Sequence, residues 1–230
     1  MVRRLACLTA LLVGVAPPAR AQDLAALCRQ LAHPPVGAWS EFKVTGGRGD
    51  GTSMRMAVVG RETRGDSSLL WLEIAVRGMP LGMGEARNDS LVIVNKMLVP
   101  GYGPGMAEPR AHVMKFGSLP AMTMPENQRG PGGAAPALHD CGDGKVVGWE
   151  SVTVPAGTFR ALHVQDADGS GDAWVVPTLP FGMVKVADAD SGFLVLTGHG
   201  TGARSQITET PQPYDPQAFM RLLMQGTGRD

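Results

Sequence analysis

Residues 145–165, KVVGWESVTVPAGTFRALHVQ, are followed by GDAWVVPTLPFGMVKV at 171–186 and FLVLTGHG at 193–200. Each stretch is short and rich in β-branched and aromatic residues. Each is bounded by Gly, Pro, Asp or Ser, and none shows a helical period. This pattern predicts an antiparallel meander. Its first hairpin is set by Pro155, which presets φ for a turn position, and by Gly157, which can take the positive φ that ends a three-residue loop. Val152, Thr153, Val154, Thr158 and Phe159 flank it as strand formers.

Downstream of the meander, TGARSQITETPQP at 201–213 predicts a polar strand and loop. Asp215 then caps a last helix with Pro216 at its first position and 217–225 as its body. Upstream, 100–109 and 117–144 are rich in glycine and proline, with 110–116 as a short strand between them. A stretch such as PENQRGPGGAAPA cannot hold a regular ladder, which makes 117–144 a flexible insertion, acting as a lid or disordered. Earlier still, strands are predicted at 39–44, 54–59, 69–76 and 91–99, and the last is apolar enough to be buried on both faces. Leu24, Leu27, Cys28 and Leu31 stand at helical spacing, so a short amphipathic helix should dock on the sheet, ended by His33-Pro34-Pro35.

Residues 1–21 have the three parts of a secretory leader: Arg3 and Arg4, an apolar stretch at 5–16, and Ala19-Arg20-Ala21 as a small-residue cleavage site. The apolar stretch is shorter than the ~20 residues that span a bilayer. The expectation is a signal peptide followed by one β-rich domain at 22–230, secreted or periplasmic. Cleavage would remove three arginines and leave a small net negative charge without a basic run, so nucleic acid is excluded as a partner. It would also leave Cys28 and Cys141, which an oxidising compartment would join in a disulfide.

The segments 148–164, 172–186 and 198–211 share a V-x-V-P-A-G-T-F hairpin, a Trp-containing strand and a P-x-G-x-V-K element. In these the chain resembles a group of uncharacterised bacterial extracytoplasmic proteins, which in turn resemble the LolA/LppX-like superfamily of periplasmic lipoprotein and lipid carriers. RMAVVG at 55–60, LLWLEIAV at 69–76 and NKMLV at 95–99 are more loosely similar to the same architecture. The resemblance implies a mainly β fold: a curved antiparallel sheet, an open half-barrel, closed by short N- and C-terminal helices, with a concave apolar face able to hold acyl chains. The Gly/Pro-rich insertion departs from the compact carriers.

The chain has 13 methionines. The pairs Met54-x-Met56, His112-x-Met114 and Met122-x-Met124 fall on one face if they lie in strands, and Met79, Met83 and Met106 add to them. Thioethers in such numbers either bind Cu(I) or supply an adaptable lining for an apolar ligand, and the lining is the preferred reading. Asp166-x-Asp168-Gly-Ser-Gly-Asp172 resembles the start of a calcium loop, but Pro177 occupies the place of the closing Glu. A polar hairpin turn explains the same residues. No G-x-S-x-G or H-E-x-x-H pattern is present, and His139-Asp140-Cys141 is the nearest thing to a nucleophile with a base.

The expected function is therefore non-catalytic, without a cofactor. The protein would bind or carry a lipid, a lipoprotein acyl chain or another apolar ligand, with transient contact with a membrane surface. Trp39, Met54, Met56, Trp71, Trp149 and Trp174 are the candidates for the ligand face on side-chain character. A structural or envelope-assembly role is the alternative, and an enzyme of unknown class the third.

Overall fold

The computed structural model describes residues 24–31, 33–47, 49–79, 91–101, 109–125, 144–166, 169–188, 192–217 and 220. Among the described residues, one helix, α1 (Leu24–Leu31), precedes twelve strands: β1 (Trp39–Thr45), β2 (Ser53–Arg64), β3 (Ser67–Arg77), β4 (Val92–Val99), β5 (Ala111–Phe116), β6 (Met122–Thr123), β7 (Lys145–Val154), β8 (Gly157–Gln165), β9 (Gly171–Val175), β10 (Met183–Asp188), β11 (Gly192–Gly200) and β12 (Gln212–Pro213). All twelve belong to one sheet, in the order β12-β6-β5-β4-β3-β2-β1-β11-β10-β9-β8-β7.

Two meanders are thus fused edge to edge. β1 to β6 run in chain order on one side, β7 to β11 on the other, and the β1–β11 ladder, from Trp39↔Gly200 to Thr45↔Phe193, joins them. The β6–β12 pair is parallel; the other neighbours are antiparallel. Register shifts interrupt the ladders at Glu41/Phe42, Val58/Gly60, Val146/Gly148 and Met183/Lys185. Each extra residue bends its strand and raises the local twist, so the sheet is open and strongly curved. At its curled end the tip of the β7–β8 hairpin returns to β11, where the Ala156 N–H donates to the Leu196 carbonyl at 3.1 Å. That hairpin turns on Pro155-Ala156 alone, one residue fewer than expected, because Gly157 (φ 137°) already pairs with Val154.

Among the described residues, four groups of apolar side chains cover the sheet, one of them at the β4–β6 end. The largest joins Phe42, Met54, Met56, Val58, Leu70, Leu72 and Ile74 to Leu196, to Val154 and Ala161 of the β7–β8 hairpin, and to Phe181, Met183 and Val184. Phe181 reaches it from a positive φ of 59°, a conformation a bulky residue holds only where packing fixes it. α1 lays Leu24, Leu27 and Leu31 on Leu162, Val164 and Val175, as its spacing predicted. On the opposite face of β3 to β5, Ala75, Val94 and Val113 pack under Ala121 and Ile207.

That last contact belongs to a strap. After β11 the chain runs over the outer face as an irregular segment, where the sequence predicted a polar strand and loop, and reaches the sheet edge at β12. It is held by Glu73 and by the Lys115–Glu209 ion pair at 2.6 Å. β4 is consequently buried on both faces, as its composition predicted, with Leu98 and Val99 both fully enclosed. Of the 117–144 stretch, 117–125 forms a turn and β6, and 126–143 lies outside the described residues. Asp215 Oδ1 accepts from the Gln217 N–H at 2.9 Å and residues 216, 217 and 220 are helical; the remainder of that predicted helix lies outside the described residues.

Candidate functional site

Strand registers align the inner face of β1 to β6 into three rows. The first reads Phe42–Met54–Val76–Ile93–Phe116, the second Ser40–Met56–Ile74–Asn95–Met114–Met122, and the third Val58–Leu72–Met97–His112. Met124 extends the third row, because its N–H donates to the His112 carbonyl at 2.8 Å. Met54, Met56, Met97, Met114, Met122 and Met124 therefore lie on one continuous face of the sheet. The i, i+2 pairs of the sequence do share a face, since alternate strand residues point the same way.

Along these rows the polar residues are Ser40, Asn95 and His112. Ser40 Oγ donates to the Pro180 carbonyl at 2.8 Å, tying the face to the segment that carries Phe181. His112 Nε2 stands 3.1 Å from Asn95 Oδ1. Burial removes water from the imidazole and holds its pKa below the usual histidine value, which favours the neutral ring. Around the β4–β6 end, Met114, Met122 and Met124 pack with Ile93 and Phe116, bordered by Met79, Leu91, Leu119 and Tyr214.

The tryptophans are divided among different places. Trp39 and Trp71 project from the face opposite Met54 and Met56, and all four indoles are half-buried, each under a cation. Arg55 lies 5.1 Å from the Trp39 ring centroid, Lys96 5.3 Å from Trp71, Arg160 5.9 Å from Trp149 and Lys185 4.6 Å from Trp174. Two of the rings also roof glycines in the neighbouring strand. A Cβ at Gly200 would lie 3.0 Å from Trp39 Nε1, and one at Gly60 3.4 Å from Trp71. Glycine gaps in strands are thus filled from across the ladder. Of the six candidates named from sequence, Met54 and Met56 share the main core, against which Trp174 also packs, Trp149 borders the α1 contact, and Trp39 and Trp71 lie on the opposite face.

One polar cluster had no signal in the sequence. His163 Nε2 meets Asp172 Oδ1 at 2.6 Å, its Nδ1 lies 3.4 Å from Glu150 Oε1, and its ring stacks on Trp174 with centroids 4.7 Å apart. The Trp174 Nε1–H donates to the same Glu150 oxygen. Direct pairing of His163 with Trp174 across β8 and β9 creates this arrangement, and strand register is what a linear reading lacks. It also accounts for Asp172, the last acid of the calcium-like stretch, whose carboxylate turns to His163. Asp166 and Gly169 close the β8–β9 connection through a 2.9 Å backbone bond, and 167–168 lie outside the described residues. Among the described residues no group of three His, Cys, Asp or Glu side chains could hold a metal ion. The Cys28 side chain and residue 141 lie outside the described residues, as do Met83 and Met106.

Compared with known proteins, the chain matches no family model and no curated protein. Solved structures similar to it include two bacterial proteins. A candidate lipoprotein from Parabacteroides distasonis aligns with 74% of this chain and 98% of its own at 14% identity and a TM-score of 0.35. A candidate exported protein with a YmcC-like fold from Bacteroides fragilis aligns with 74% of this chain and 99% of its own at 11% identity and a TM-score of 0.32. A likeness at these scores fixes neither family nor activity.

Among the described residues no helix is long and apolar enough to cross a membrane. What the inner face offers chemically is a set of neutral, polarisable thioethers with a single neutral imidazole at one end. Such a surface suits flexible apolar groups or a soft cation.

Proposed function

We propose that this is a non-catalytic extracytoplasmic protein that binds or carries an apolar ligand, a lipid or the acyl chain of a modified protein, on the methionine-lined face of its curved sheet. The observation that supports the reading is the alignment of Met54, Met56, Met97, Met114, Met122 and Met124 along one face. Unbranched thioether side chains repack at low cost around chains of variable shape, where a β-branched lining would be stiff. The leader-like residues 1–21 would deliver the protein to the compartment where such ligands are exchanged. Trp39 and Trp71 then serve from the outer surface, as amphipathic side chains suited to brief contact with lipid headgroups.

A second reading has its own support. Phe181, Met183, Leu196 and the β7–β8 hairpin already fill the space above β1 to β3, leaving Met56 and Leu72 fully enclosed. In that case the face is a packed core and the protein a structural or envelope-assembly component.

Native mass spectrometry of protein exported to the periplasm and purified without detergent separates the two, with solvent extraction of any adduct. A stoichiometric adduct that extracts as lipid is the result expected. An apo mass that persists after addition of fatty acids and phospholipids overturns the carrier reading in favour of the second.

A further inference from the structure

We propose that the β4–β6 end of the inner face is a Cu(I) site in which Met97, His112 and Met124, with Met114 beside them, supply thioether sulfur and one imidazole nitrogen. The register places the first three side chains in consecutive strands of one row. Met97 pairs directly with His112, and the Met124 N–H bonds to the His112 carbonyl at 2.8 Å. Residues directly opposed on one face bring their Cβ atoms within about 5.5 Å, so the flexible thioethers on either side of His112 can converge on its ring. Met114 lies two residues along β5 from His112 on the same face, paired with Met122.

The imidazole is prepared for this role by its neighbour. The tautomer protonated on Nε2 donates to Asn95 Oδ1 and leaves the Nδ1 lone pair for a metal. A second hydrogen-bonding partner that fixes the tautomer of a ligating histidine is the recurrent outer shell of metal sites. Access is also defined. Met97 and His112 are partly exposed, whereas Met114 and Met124 are buried, so Met97 and the ring mark the solvent end of the cluster and the other two sulfurs its floor.

The ligand chemistry selects the metal. Neutral thioethers with one imidazole suit a soft monovalent ion and disfavour zinc, calcium and magnesium, which take thiolates, several imidazoles or oxygen ligands. Among the described residues, the calcium-like loop and the His163 cluster offer no such set, because Asp172 and Glu150 are already committed to His163.

The test uses the full secreted chain, Cu(I) supplied as its acetonitrile complex under ascorbate, and Ag(I) as a redox-inert stand-in. Native mass spectrometry should show one metal per chain, and X-ray absorption at copper a shell of sulfur with one nitrogen. Met97→Leu and Met124→Leu conserve volume and should each weaken binding at least tenfold, about 1.4 kcal/mol. Met183→Leu, in β10 and outside these rows, should leave it unchanged. Lack of a one-to-one adduct would overturn the proposal, as would retention of copper by Met97→Leu/Met124→Leu. Loss of copper only on Cys28→Ser/Cys141→Ser would assign the metal to the cysteines instead. Because the probe is the bare ion, the result is independent of whether a lipid adduct is found.

Discussion

Glu73 shows how much one side chain can hold. It is 1% exposed, yet its carboxylate accepts from Ser205 Oγ at 2.7 Å and from the Gln206 N–H at 3.0 Å, fastening the strap to β3. Glu73→Ala should cost about 2–3 kcal/mol in urea unfolding, because it strands the Gln206 donor, and should speed amide exchange at Gln206. Glu73→Gln keeps one acceptor and should cost less. Glu209 holds the same strap by charge. Lys115 donates to it at 2.6 Å and, with backbone donors, holds its carboxyl down to about 2. In the unfolded chain the group returns to an ordinary value of about 4.3. Its folded pKa is depressed, so its stabilisation is complete above that range and is lost as the pH falls toward 2. Glu209→Gln should therefore flatten the acid limb of the stability curve between those values. The side chain is 34% exposed, and added salt should erode the same difference.

At the scale of elements, the β1–β11 ladder carries the molecule, and Gly192 sits at its end. Its φ is +84°, and a Cβ there would lie 2.7 Å from the Thr45 and Gly46 carbonyl oxygens, which are backbone and cannot yield. Gly192→Ala should cost about 3 kcal/mol through left-handed strain and that clash, measured by denaturant midpoint. Gly65 provides the contrast, with φ +58° and open space around its absent Cβ in the β2–β3 turn. Gly65→Asn should stay within about 1 kcal/mol, because asparagine tolerates this conformation. Helix α1 depends on a similar close approach: a Cβ at Gly182 would lie 2.6 Å from Leu31, so the 177–182 turn receives the helix only because it carries glycine there.

For the whole molecule, β11 is the strand without which two meanders remain. Truncation after Asp188 would leave β1 and β10 as long edges and open the core around Phe42 and Leu196. Such edges template association, so the truncated chain should aggregate on size-exclusion chromatography while the full chain elutes as a discrete species. Since β1 and β11 come from opposite ends of the chain, their pairing must await closure of a very long loop. Stopped-flow refolding should accordingly fall in the millisecond-to-second range of non-local β topologies.

Much of this was local and could be read from the chain. Alternating apolar residues and Gly/Pro turns marked nearly every strand, and Leu24, Leu27 and Leu31 marked α1, because side-chain period and turn chemistry act over a few residues. The shared face of Met54 with Met56 and of Met122 with Met124 followed from the same period of two. Tertiary structure alone decided which strands became neighbours. Met97 stands by itself in NKMLV, and only the β4–β5 register sets it beside His112. Trp39 and Trp71 suited an apolar face by character, yet the glycines of β11 and β2 offered gaps on the other side. His163 lay in an ordinary strand until pairing brought Trp174 to its ring, with Glu150 and Asp172 at its nitrogens. Such partners are chosen by closing one large sheet over one core, an energy shared by residues far apart in sequence and written in no short stretch of it.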